Sequence, residues 1–209
     1  MKETLAVGLF ALGLVSGPVT AQQAGDPWMV RARLVDLKMD TSSDAGSGPL
    51  TGLPANAIDV NSKWIPEGDI SYFFSERLSL ELVLTVPQSQ TVTVKGLGDV
   101  GSFRHLPPSL LGQYHFAGFF DRFTPYVGVG INYTRIMNQN FNVPGLALQN
   151  HSFGPAIQVG VDVPFEKSWS ANLDVKKVWI SSDVTLSGQK VSNVSLDPWL
   201  LGIGIGYHF

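Results

Sequence analysis

Charged and hydrogen-bonding residues recur two positions apart in several short segments: Arg31 and Arg33, Gln113 and His115, and Asp174 and Lys176, with Glu81 and His208 in segments of their own. A spacing of two puts such a pair on one face of an extended strand. Both signs of charge on one face suit an internal ion network that fixes strand register, or else selection of a charged solute. Within that set Glu81 is expected to pair with Arg31 or Arg33. Other chemistries find little support. The histidines at 105, 115, 151 and 208 lack the spacing of a metal site, so neither a metal nor another cofactor is expected. His151, Ser152, Ser181 and Asp183 include the residue types of a hydrolase, yet nothing in the sequence brings them together, and no enzymatic activity is expected. Gly96-Leu97-Gly98 lacks the following helix that a phosphate cradle needs.

Composition narrows the elements that hold these residues. The 209-residue chain has 22 glycines, 13 prolines and no cysteine, and its charged fraction is 15% against about 25% in ordinary soluble domains. A net charge of −3 offers no basic field for nucleic acid. Without cysteine there are no disulfides and no thiolate chemistry. No apolar run reaches the roughly 18 residues of a membrane helix. The longest, from Leu5 to Val15, follows Lys2 and precedes Val19-Thr20-Ala21, the pattern of a secretory leader cleaved after Ala21. Residues 1–21 are therefore expected to be a signal peptide, and 22–209 a single exported domain.

Beyond Ala21 the apolar period is two. In 199–209, Trp199, Leu201, Ile203, Ile205, Tyr207 and Phe209 share one face, and Leu200, Gly202, Gly204, Gly206 and His208 lie on the other, so every bulky apolar group but one is on a single side. The same alternation marks 28–35, 64–74, 78–86, 106–116, 123–135, 153–164 and 169–180, which predicts eight strands. Short links at 75–77, 117–122 and 166–168 alternate with long ones at 36–63, 87–105, 136–151 and 181–197. This rhythm predicts an all-β fold, an eight-stranded antiparallel up-and-down transmembrane β-barrel with short turns at one end and long loops at the other. The alternation alone also fits a lipocalin-like secreted barrel. Residue size favours lipid outside: the branched and aromatic set suits hydrocarbon, and the glycine-rich set suits a crowded lumen. Trp28, Trp64, Trp169 and Trp199 lie near strand ends, where aromatic girdles sit.

Several runs resemble the OmpW family of outer-membrane proteins: Trp28 to Leu34, Asp69 to Phe74, Leu80 to Leu82, His105 to Ser109, Gln113 to Phe116, Pro125 to Tyr133, and the ending from Leu196 to Phe209. The resemblance spans essentially the whole mature chain, in order. It implies a barrel in the outer membrane of a Gram-negative cell, surrounded by outer-membrane lipids, and a passage for small hydrophobic molecules, as in the family's alkane-uptake protein AlkL, with sideways release into the membrane. Terminal Phe209, with Tyr207 before it, looks like the signal read by the outer-membrane assembly machinery. A monomer is expected, and the competing function is a structural or receptor-like barrel without transport.

By parity Arg31, Arg33, Glu81, Gln113, His115, Asp174, Lys176 and His208 point inward, since charge facing lipid near the midplane costs about 2–4 kcal/mol. Opposite charges in a narrow lumen are expected to plug it. Lys176, beside Lys177, stands where relatives can carry an aromatic, so an apolar vestibule is not assured at that level. Apolar candidates for the way in are Leu50, Leu53, Pro54 and Ile58 in the first loop, and Val143, Leu146 and Leu148 in the third. Pro107 and Pro108 open the fourth strand without the N–H groups a ladder needs. They either weaken its pairing with the third strand, as a lateral exit requires, or merely end the second loop.

Overall fold

The structure, a computed structural model, describes residues 27–117 and 122–209. The expected leader lies outside the described residues, as does the middle of the link at 117–122. Fifteen strands are described: β1 (Trp28–Lys38), β2 (Ser42–Ser43), β3 (Ile58–Val60), β4 (Lys63–Phe73), β5 (Leu78–Thr85), β6 (Gln88–Val94), β7 (Gly98–Leu106), β8 (Ser109–His115), β9 (Thr124–Phe141), β10 (Leu146–Leu148), β11 (His151–Pro164), β12 (Trp169–Val178), β13 (Ser181–Leu186), β14 (Gln189–Ser195) and β15 (Trp199–His208). One 3-10 turn, Gly48–Leu50, lies in the first long connection.

Eight strands close a barrel in the order β1, β4, β5, β8, β9, β11, β12, β15, each antiparallel to the next. β15 returns to β1, with Met29 opposite His208 and Lys38 opposite Trp199. Closure pairs the sheet's two end strands, whose open edges hydrocarbon would not tolerate, and leaves one short break between β5 and β8 near their outer ends. Period-two side chains divide the wall. Ile203 is 58% exposed and Val129 67%, whereas Glu81 on the inner face is wholly buried. Aromatic pairs ring the short-turn end, with Trp28 and Trp169 each 4.8 Å from their partners Tyr72 and Tyr207. Trp64 and Trp199 flank the outer end of β1, opposite Asp36 and Lys38.

Glycine sets the lumen's bore. Gly204 faces Arg33 across the β1–β15 pair, and a Cβ there would lie 2.8 Å from the Arg33 stem and collide with the Ala32 carbonyl. Gly160 leaves the space that the Tyr126 ring fills.

The long connections differ from the open loops read in the sequence. Residues 87–105 form the β6–β7 hairpin, which turns at Gly96 and Gly98, both at positive φ. Residues 181–197 form the β13–β14 hairpin, turning at Ser187-Gly188. β9 runs on to Phe141 and pairs with β7 beyond the membrane band. β3 joins β6, while β10, β13, β14 and β2 make a second, four-stranded sheet. In these hairpins the valines face inward, the reverse of the barrel wall, because water has replaced lipid outside, although some polar residues, Gln88, Gln90 and His105 among them, are buried with them. The expected strand 106–116 is also split. Pro107 and Pro108 separate β7, which ends at Leu106, from β8, which starts at Ser109.

Candidate functional site

The inner face of β1 shows how the lumen is layered. From the short-turn end its inward residues are Met29, Arg31, Arg33, Val35 and Leu37, all buried. Charge occupies the middle, and aliphatic side chains lie above it.

Arg31 reaches Asp162 with two nitrogens, at 3.2 and 2.8 Å, and its third contacts Asp69 at 3.2 Å, Ser71 at 3.1 Å and Glu81 at 3.4 Å. Arg33 meets Asn172 at 2.6 Å, Glu67 at 3.0 Å, Asp69 at 2.6 Å and Glu81 at 3.2 Å. Lys176 donates to Glu67 at 3.0 Å and lies 3.5 Å from Asp174. Asp174 also accepts from the Tyr126 hydroxyl at 2.8 Å and from Gln158 at 2.7 Å. Gln113 donates to Gln158 at 2.9 Å, and His115 lies 3.0 Å from Ser79. Glu81 thus stands between both arginines. These groups meet across the lumen from β1, β4, β5, β8, β9, β11 and β12; charge-assisted bonds tie in every one of these strands but β8, which Gln113 joins through neutral bonds to Gln158 and Ser79.

Sequence reading missed Glu67, Asp69 and Asp162, which supply most of the network's negative charge. Glu67 and Asp69 carry the two-residue spacing used for Arg31 and Arg33 and fall within the expected strand 64–74, and Asp162 falls on the small-residue face of 153–164, so the same parity signal was present for all three. His208 lies below the network, at an open mouth of about 330 Å³ that Phe73, His115 and Asp162 also line.

Above the network, a chamber of about 60 Å³ is walled by apolar side chains of β3, β6, β7, β9, β10, β13 and β14, with Ser182 the one polar residue in its lining. Leu50, Leu53, Ile58, Leu146 and Leu148 line it. Pro54 and Val143 are exposed instead. A second void of about 20 Å³ lies between chamber and network, bordered by Leu37, Val83, His105, Pro107 and Lys176. Lys177 turns outward, 3.0 Å from Asp40 and over the Trp199 ring.

The void abuts a seam in the wall. The β5–β8 ladder ends with Val83 opposite Ser109, and the β6–β7 ladder begins with Gln88 opposite His105. Between these rungs residues 84–87 and 106–108 have no ladder partners across the seam. Pro107 and Pro108 are held on the other side, where Asn132 donates to both carbonyls, at 3.1 and 3.0 Å, and the Tyr133 N–H to that of Pro108. The residues with hydrolase potential are engaged separately. His151 bonds to the Tyr133 hydroxyl at 2.6 Å, Ser152 accepts from the Ser181 N–H, and Asp183 bonds to Asn193 and Lys190.

A closed eight-stranded wall, a charged lumen and an apolar chamber accompany a match to the OmpW family model over residues 6–209. The chain belongs to the OmpW family. It is an outer-membrane β-barrel protein, like its relatives. Among them, Outer membrane protein W of Vibrio cholerae is 33% identical over 224 residues and the full length of both chains. An uncharacterised outer-membrane protein of Sinorhizobium fredii, y4mB, is 35% identical over 98% of this chain and 91% of its own. In fold, this OmpW-family chain is similar to the crystal structure of OprG from Pseudomonas aeruginosa, with a TM-score of 0.75 and 29% identity over 89% of this chain and 96% of that one.

Proposed function

We propose that the protein passes small hydrophobic molecules across the outer face of the outer membrane, taking them into the apolar chamber and releasing them sideways between β5 and β8 into the bilayer. The observation that carries this reading is the unpaired seam beside the void beneath the chamber, above a lumen filled by ion pairs. An apolar solute gains nothing by crossing a layer of buried arginines and carboxylates, since it would have to displace their bonds. The seam opens instead onto Leu84 and Val86, which face lipid. The family's alkane-uptake member supports the choice of solute. Within this reading Leu50, Leu53, Ile58, Leu146 and Leu148 form the chamber wall, and Pro107 and Pro108 keep the exit free of ladder bonds.

Extending the β5–β8 register brings Val86 opposite Leu106, which makes Val86→Cys with Leu106→Cys the test. Oxidation is expected to block uptake of a hydrophobic solute into liposomes holding the purified protein, and reduction to restore it. Uptake at the uncrosslinked rate after complete oxidation would remove the lateral route. Protein-free and protein-bearing liposomes taking up solute equally would remove transport altogether and favour a structural or surface-interaction barrel. We also infer that the protein acts as a monomer, with residues 1–21 as its export signal and Phe209, with Tyr207, as its assembly signal.

A further inference from the structure

The passage from chamber to seam is not apolar throughout. On β6 the inward column runs Val94, Val92, Gln90, Gln88 toward the seam, and Gln90 and Gln88 pair in register with Phe103 and His105 of β7. Val92, Val94 and Phe103 line the chamber, while His105 lines the void beside Pro107. Thr85 stands at the lower edge of the seam. Gln90 is 0% exposed and His105 1%. Yet both amide atoms of Gln90, Nδ1 of His105 and Oγ1 of Thr85 have no hydrogen-bond partner in the protein. Gln88 differs, since its amide donates to the Val86 carbonyl at 2.8 Å.

Buried polar atoms are ordinarily satisfied, and an orphan is costly. Aliphatic residues would line this stretch as they line the chamber above. Gln90 offers both donors and an acceptor, Thr85 a hydroxyl of either sense, and His105 a ring nitrogen. The nearby cations are both engaged, Lys63 by the Ser89 carbonyl and Lys176, which borders the void, by Glu67. Neutral donors and acceptors beside an apolar chamber suit a neutral polar head. A carboxylate or ammonium head would lose its hydration here, and the opposite charges bordering the void, Lys176 and Glu67, are already bonded to each other.

We propose that the solute is amphipathic, with an apolar body and one neutral oxygen-bearing head, a hydroxyl or carbonyl, that Gln90, His105 and Thr85 bind as the molecule passes from chamber to seam. This rests on the passage reading above and deepens it. The head bonds to groups that are otherwise bare, so the solute is drawn toward the exit instead of resting in the chamber.

The test compares binding of octane, 1-octanol and octanoate to the full protein in lipid nanodiscs, for the wild type, Gln90→Leu and His105→Leu. Taking the octanol-to-octane ratio of each variant relative to that of the wild type cancels partitioning into lipid. That ratio is expected to fall about three- to tenfold in each variant, the effect of one lost neutral hydrogen bond, with octanoate the weakest ligand of the wild type. An unchanged ratio in variants that keep the heat-modifiable gel mobility of a folded barrel overturns the proposal, because buried water then satisfies these groups. Preference for octanoate overturns it as well. If a variant does not fold, Thr85→Val takes its place. Octane binding with an unchanged ratio defeats the head alone, whereas no binding of octane or octanol above empty nanodiscs defeats the passage reading with it.

Discussion

Arg33 contacts Glu67, Asp69, Glu81 and Asn172 and lies 3.4 Å from the Tyr126 hydroxyl. Among the described residues the network sets three cations, Arg31, Arg33 and Lys176, against five carboxylates, Glu67, Asp69, Glu81, Asp162 and Asp174. Losing a cation therefore leaves more charge unpaired than losing a carboxylate. Arg33→Met is expected to cost about 3–5 kcal/mol of barrel stability, the range for breaking a buried pair on one side. Glu81→Ala should cost less, about 1–3 kcal/mol, and still lower stability more than it changes solute uptake. Urea unfolding in micelles, followed by gel mobility, measures the first quantity, and liposome uptake the second. Uptake that collapses in Glu81→Ala while stability holds would show that the network recognises solute and does not merely pin strands.

The elements above the membrane band depend on different bonds. In the β13–β14 hairpin, hydrogen bonds from Lys190 and then Asn193 hold the Asp183 carboxyl below the usual carboxylate range. A lowered value in the folded hairpin means that its contribution is present above the ordinary carboxylate pKa and is lost as pH falls through the lowered one. Amide protection factors in 181–195 are thus expected to drop in acid before those of β15, and Asp183→Asn should flatten that pH dependence. The eight wall strands were legible in the sequence because lipid on one side and a narrow lumen on the other impose one strict alternation. The hairpins were not, because Val92, Val94, Val184 and Val194 obey the opposite polarity and sit among turn-forming residues. Gln90 is illegible for a related reason: within a long link between wall strands, a glutamine carries no signal until its burial is known.

At the scale of the whole molecule, the barrel's outer face is the part most completely specified by pattern. Ile203, opposite Leu34 on β1, lies midway between the Tyr207 and Trp199 levels of the same strand. Ile203→Arg is expected to cost about 2–4 kcal/mol of insertion free energy, measured by refolding into bilayers, with little effect on the lumen network behind it. Less of the site was readable than of the fold. Parity placed Arg31, Arg33 and Glu81 on one face, but the meeting of seven strands on one cluster is a property of closure, which no local pattern encodes. The seam carries a further consequence for energetics. A solute that leaves the chamber between β5 and β8 exchanges one oily medium for another, and the charged layer beneath takes no part in its path. Such a wall lowers a barrier without setting a direction: flux through it would reverse with the concentration gradient, and net accumulation would depend on whatever consumes the solute farther in.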